Sequence, residues 1–217
     1  IYGLPGMDLK EWDEQLRIAL DHGMPHLSAY CLTVEPGTVL HHQVRKGVVI
    51  PATDPEVSAQ FDHLMATMDA EGLIHYEISN FGREGHFSRH NRIYWNGEAY
   101  LGIGPSAHSF VGNERRWNVA NNVRYARSVS DGTRYWEAEL VGPKERTNEM
   151  IMTGLRTMWG VDLGTLPIDI RKHDQGRIVQ YIRQGLIEKM DGRLVLSKAG
   201  RHLADRIASD LFVLDDR

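Results

Sequence analysis

Over the first 81 residues the hydrophobic pattern switches repeatedly between helical and strand periods, and this alternation constrains the fold most. Asp8 with Glu11 three residues on forms a capping box, and Leu9, Trp12, Leu16 and Leu20 follow at helical spacing up to Gly23, which predicts an amphipathic helix over 8–22. The stretch HLSAYCLTV (26–34) has the β-branched and aromatic content of a buried strand, and EPGT (35–38) turns the chain. Asp54 before Pro55 caps a second helix, with Val57, Phe61, Leu64, Met65 and Met68 on one side and Gly72 at its end. LIHYEISNF (73–81) then reads as one further strand. Strands alternating with helices of roughly 15 residues predict a parallel α/β sheet or part of an α/β barrel, where ligand sites collect at strand ends.

From about Pro143 the pattern changes. A helix is predicted over 143–159, with Ile151, Leu155 and Met158 inward and Gly160 at its end, and a second from Asp174 to Gly185 with Ile178, Val179 and Ile182. LIEKMDGRLVL alternates around Asp191-Gly192, a strong hairpin signal, and Ser197 caps a last helix bearing Leu203, Ile207 and Leu211. Helix, helix, hairpin, helix is a winged-helix-like order. A DNA reader of that class needs a basic face, yet 143–217 holds thirteen Lys or Arg against eleven Asp or Glu, and Arg177 and Arg183 make no continuous stripe. Packing or partner contact is the preferred use, and specific nucleic-acid binding is not expected.

Between these regions lies HNRIYWNGEAYLGIGPSAHS (90–109), with two histidines, two tyrosines, a tryptophan and three glycines in neither a helical nor a strand period. Such material packs poorly, so the stretch is read as a ligand loop. Gly102 and Gly104 either admit a ligand close to the backbone or shape a tight turn. His86 and His90 are four apart, but Gly82 and Gly85 argue against a helix there and weaken a zinc reading. One imidazole could instead ligate haem iron, or each histidine could be an ordinary hydrogen-bonded residue. Tyr94 and Trp95 are read as ring partners or core aromatics, and Glu77 as a buried acid or an outward polar residue.

Composition narrows the partners. The single cysteine, Cys31, excludes an internal disulfide framework and any Cys-rich metal site built from this chain alone, and fits a reducing, cytoplasmic home. No apolar run approaches the roughly 18 residues of a membrane span, and a net charge of −4 gives no global pull toward nucleic acid or anionic lipid. The opening IYGLPGMD has no initiator Met and reads as a strand end entering a turn, so the chain is expected to be part of a longer protein.

The ordered strings IYGLPG, LTVEPGT, YEISNF, HNRIYW and YLGIGPSAHS, with GLRTMWGVDL (154–163) and LSKAGRHLADRI (196–207) in the tail, resemble the HemW-type haem chaperones. These are radical S-adenosylmethionine (SAM) proteins similar to oxygen-independent coproporphyrinogen III oxidase. The resemblance covers essentially the whole chain. It implies the second half of a radical-SAM partial (β/α) barrel with a ligand loop over 1–112, a connecting segment over 113–142, and a small winged-helix-like domain over 143–217. It places a three-cysteine [4Fe–4S] motif and a Gly-rich SAM loop upstream of IYGLPG, so radical chemistry is not expected of these 217 residues alone.

The resemblance also implies the site. An HN-x-x-YW motif is matched by His90, Asn91, Tyr94 and Trp95. His90 is its expected haem axial ligand, with His86 and His108 as fallbacks. Asn91 is expected to bridge backbone groups, and Tyr94 and Trp95 to flank the porphyrin or fix the loop. Tyr30, Thr33 and His108 match the family's SAM pocket, Tyr30 alternatively being a barrel-core aromatic. Haem and haem-receiving proteins, membrane-associated ones included, are the implied partners. Oxidative decarboxylation in porphyrin synthesis is the alternative activity.

Overall fold

A computed structural model describes residues 1–214, with 172–174 described by backbone alone. The chain divides into two compact units, the first Ile1–Phe87 and the second from Ser88 onward.

In the first unit α1 (Leu9–Asp21) begins as predicted, Glu11 N donating to the Asp8 carboxylate at 2.8 Å and Asp8 N to Glu11 at 3.1 Å. After β1 (His26–Ser28) and the turn at Pro36-Gly37 comes a helix the periodicity did not reveal, α2 (Val39–Arg45), capped by Thr38. The cap of α3 (Asp54–Ala70) is Thr53 rather than Asp54, because Thr53 and Glu56 complete a capping box one residue earlier. Trp12 and Leu16 from α1 meet Phe61, Leu64, Met65 and Met68 from α3, with Tyr2, Ala29, Leu73 and Phe81 closing the core.

The single strand expected over 73–81 is instead a hairpin, β2 (Ile74–Glu77) and β3 (Asn80–Gly82). The chain reverses at Ile78-Ser79 because the Glu77 carboxylate accepts from Ser79 N at 3.0 Å and from Asn80 Nδ2 at 2.5 Å, a side-chain tie that hydropathy does not reveal. The reversal sets β3 between β1 and β2, both pairings antiparallel. The expected parallel ladder is therefore not formed by these strands; the parallel bridge in this unit joins Tyr2 and Cys31.

The second unit opens with α4 (Arg89–Trp95) and continues with β4 (His108–Val111), β5 (Glu114–Asn118), α5 (Asn122–Ser130) and β6 (Trp136–Leu140), the strands forming an antiparallel sheet in the order β4-β5-β6. The stretch 113–142 thus carries β5, α5 and β6. Next come α6 (Pro143–Leu155), β7 (Val161–Asp162), α7 (Arg171–Arg183), β8 (Ile187–Met190), β9 (Arg193–Leu196), α8 (Lys198–Arg201) and α9 (Ala204–Asp210). Strands β7, β9 and β8 form a second antiparallel sheet in that order.

The hairpin turns at Asp191 (φ 48°) and Gly192 (φ 80°), the two left-handed positions of a type I′ turn. Helix α6 stops at Leu155, short of the expected 159, and the chain tightens through Thr157 to Gly160, where φ is 65° and a Cβ would meet Leu194 O at 2.2 Å. The start expected for α7 at Asp174 falls on a side chain outside the described residues; the backbone is helical from Arg171. The Ser197 hydroxyl caps α8 only, and the expected last helix breaks at His202-Leu203 before α9 resumes. Ile151 and Leu155 from α6, Leu194 and Leu196 from β9, and Ile207 and Leu211 are buried, whereas Leu203 stays exposed. No helix among the described residues is long and apolar enough to cross a membrane.

Candidate functional site

The HNRIYW segment is a helix, correcting the loop expected there. Ser88 caps it, its Oγ accepting from Asn91 N at 3.2 Å, and Gly97 at φ 63° follows its end. Gly82 and Gly85 lie before the cap and do not interrupt it, and seven residues are too few to show a period. The Ser88 hydroxyl, not the expected Asn91 side chain, holds the backbone's shape. His86 precedes the helix and is exposed, its Nδ1 3.1 Å from Glu84 O, so its spacing from His90 is not one helical turn. Among the described residues no three His, Cys, Asp or Glu side chains gather in a way that would hold a metal ion.

A helix turns about 100° per residue, so His90 and Trp95 point about 140° apart. The structure divides the motif accordingly. His90 is exposed, its ring edge-on to Tyr94 at 5.2 Å, and Tyr94, 41% exposed, contacts Tyr100 at 4.6 Å. Asn91 is half-buried. Trp95, with Arg92 and Asn96, instead lines a cavity of about 700 Å³ walled by α6, the turn after it and the β8–β9 hairpin.

Charged residues missed in the sequence tie α6 to the glycine after α4 and to strands β5 and β6. Arg146 of α6 lies over Phe110 at 5.4 Å and donates to Gly97 O at 3.3 Å, at a glycine where any Cβ would strike the guanidinium. Arg115 of β5 bonds Glu149 of α6 and Glu139 of β6. The bond to Glu149 holds the Arg115 guanidinium above its ordinary pKa. The strand period of ERRWN could have marked Arg115 as facing a helix; nothing local paired it with Glu149. In the first unit, likewise, Glu77 is buried, accepting from Asn80, whose Oδ1 accepts from Ser28 Oγ at 2.7 Å.

The glycines after α4 serve the protein's own backbone. A Cβ at Gly102 would stand 2.1 Å from His108 O; Gly102 N donates to Ser109 Oγ at 2.9 Å, and buried Asn118 donates to Gly104 O at 2.8 Å. Of the two readings, the turn is the one formed. Tyr30 is 50% exposed, which overturns its reading as a core aromatic, and Thr33 is exposed beside it in the first unit. His108 belongs to the second unit, exposed, with its ring 6.5 Å from Trp117.

Comparison with known proteins gives this arrangement its class. The fold is mixed α/β and is similar to that of a solved protein, coproporphyrinogen III oxidase (HemN) from Escherichia coli, described as a radical SAM enzyme: TM-score 0.75 at 15% identity, over 97% of this chain and 53% of that one. The family model of the HemN C-terminal domain matches residues 141–203. Relatives include the heme chaperone HemW of Mycobacterium tuberculosis, 33% identical over 97% of this chain and 53% of the relative, and that of Bacillus subtilis, 30% identical over 95% and 56%. The mouse mitochondrial radical S-adenosyl methionine domain-containing protein 1 is 37% identical over 73% of this chain and 38% of its own. The chain belongs to the HemW/HemN-like radical SAM family. It spans about half the length of the bacterial relatives it matches.

Proposed function

We propose that this chain is the haem-handling portion of a HemW-type haem chaperone, which binds haem and passes it to receiving proteins, membrane-associated ones among them. The observation that carries this reading is the exposure of His90 on a capped helix, with no hydrogen bond to its ring among the described residues and Tyr94 and Tyr100 beside it. An exposed imidazole suits a haem that must leave again: iron gains a ligand without burial of the macrocycle. His90 is the axial ligand, Tyr94 flanks it, Asn91 follows His90 on the same short helix, and Trp95 lies on the helix's inner side; His86 and His108 are the fallback ligands. That relatives over almost the whole chain are named heme chaperones supports the choice over porphyrinogen oxidation.

In this reading 1–112 is the remainder of the partial barrel, 113–142 a connection and 143–217 a winged-helix-like module, the match over 141–203 supporting the last boundary. Tyr30, Thr33 and His108 are proposed for SAM. A cluster held by three thiolates does not fit these residues, since Cys31 is the chain's single cysteine, and burial pushes its thiol up, against thiolate formation. A cytoplasmic home goes with this reading, and specific nucleic-acid binding does not.

The test is His90→Ala in the full-length protein. Haem binding should fall at least about tenfold with loss of the imidazole-ligated spectrum, the iron–sulfur absorbance being kept. Unchanged haem affinity and spectrum would remove His90 from the role.

A further inference from the structure

The cavity on the inner side of α4 is not used by His90, and its chemistry is specific. Trp95, Met150, Met158 and Trp159 supply flat and polarisable apolar walls. At about 700 Å³ it lies within the range of roughly 300–1,000 Å³ typical of small-molecule sites. Arg92 stands at its edge, the guanidinium 5.3 Å over the Trp159 ring, with no carboxylate partner among the described residues.

The other arginine in the wall is fully engaged. Arg193 donates to Trp159 O at 2.6 Å, Gly160 O at 3.3 Å and the Asp162 carboxylate at 3.1 Å. It therefore fixes the turn that carries Trp159 and neutralises Asp162, while Asp191, at the tip of the hairpin, also lines the cavity. What remains is a wide, mostly apolar slot with threonines and Asp191 in its wall, and one uncommitted guanidinium whose N–H edges can take a carboxylate at the Trp159 side.

We infer that this cavity is a second tetrapyrrole seat, which holds the porphyrin by its faces between the tryptophan and methionine side chains and by one carboxylate on Arg92, independently of iron. A macrocycle with an apolar body and carboxylates along one edge matches both features. A nucleotide would need more free cations than the wall offers. The inference rests on the reading of the chain as a haem handler, and it adds a site on the face of α4 opposite His90.

The experiment compares haemin with iron-free protoporphyrin IX on the full-length protein, following quenching of tryptophan fluorescence, in the unaltered protein and in Arg92→Ala, Arg92→Lys, Trp159→Phe and His90→Ala. Protoporphyrin should bind, weaken about tenfold in Arg92→Ala and recover in part in Arg92→Lys. Trp159→Phe should remove part of the quenching. Protoporphyrin affinity should follow Arg92 and not His90. If protoporphyrin fails to bind, or binds Arg92→Ala as well as the unaltered protein, the cavity is not such a seat. Haemin binding that depends on His90 alone would overturn this inference and leave the haem-handling reading standing. Arg92-dependent protoporphyrin binding without any effect of His90→Ala on haemin would support the seat and remove His90 from its role.

Discussion

At the scale of single residues, chemistry and packing meet most directly at His26. Its Nε2 lies 2.6 Å from the hydroxyl of buried Tyr76, and burial lowers its pKa below the ordinary histidine value. With the folded pKa depressed, the unfolded chain takes up the proton first, so the contribution to stability is complete above about pH 6.5 and is lost as pH falls through that value toward the folded pKa. The melting temperature should accordingly drop between about pH 7.5 and 5.5. In His26→Asn the drop should be smaller; an identical drop would assign it to other groups. Nothing in HLSAYCLTV announces this histidine as special, because its partner Tyr76 is fifty residues away.

Among the elements, α4 and the turn after it carry the strongest local demands. Ser88→Ala removes the cap of a seven-residue helix and should cost about 1 kcal/mol, read as a lower urea midpoint, with haem affinity falling alongside if His90 is the ligand. Gly102→Ala forces a methyl group into the His108 carbonyl, where no flexible side chain can give way, and should cost about 2 kcal/mol or more. An unchanged urea midpoint for Gly102→Ala would mean that the turn can open. The elements read correctly are those whose signals are local: the capping box of α1, the buried face of α3 and the Asp191-Gly192 hairpin. Those misread depend on side chains acting on backbone. Glu77 folds one apparent strand into a hairpin, and Ser88 turns an apparent loop into a helix.

For the molecule as a whole, the single cysteine gives a direct expectation. Reconstituting these 217 residues with iron and sulfide should produce no [4Fe–4S] absorbance, whereas the full-length protein should take up a cluster. A stable cluster on the 217 residues would show that its ligands had been assigned to the wrong part of the protein. Helix and strand periods sufficed for a mixed α/β chain but not for its antiparallel sheets, and the ordered motifs carried the resemblance to the family and singled out the segment around residue 90. Order along a chain records what each residue is and what its nearest neighbours can cap or turn. It does not record on which side of a helix a residue emerges once that helix is packed. Only the tertiary structure separated His90 from Trp95, joined Arg115 to Glu149 and Arg92 to Trp159, and set the free guanidinium above a mostly apolar slot. Those pairings span 34 and 67 positions in sequence, and they exist because burial of the α6 and β9 side chains brings distant segments together.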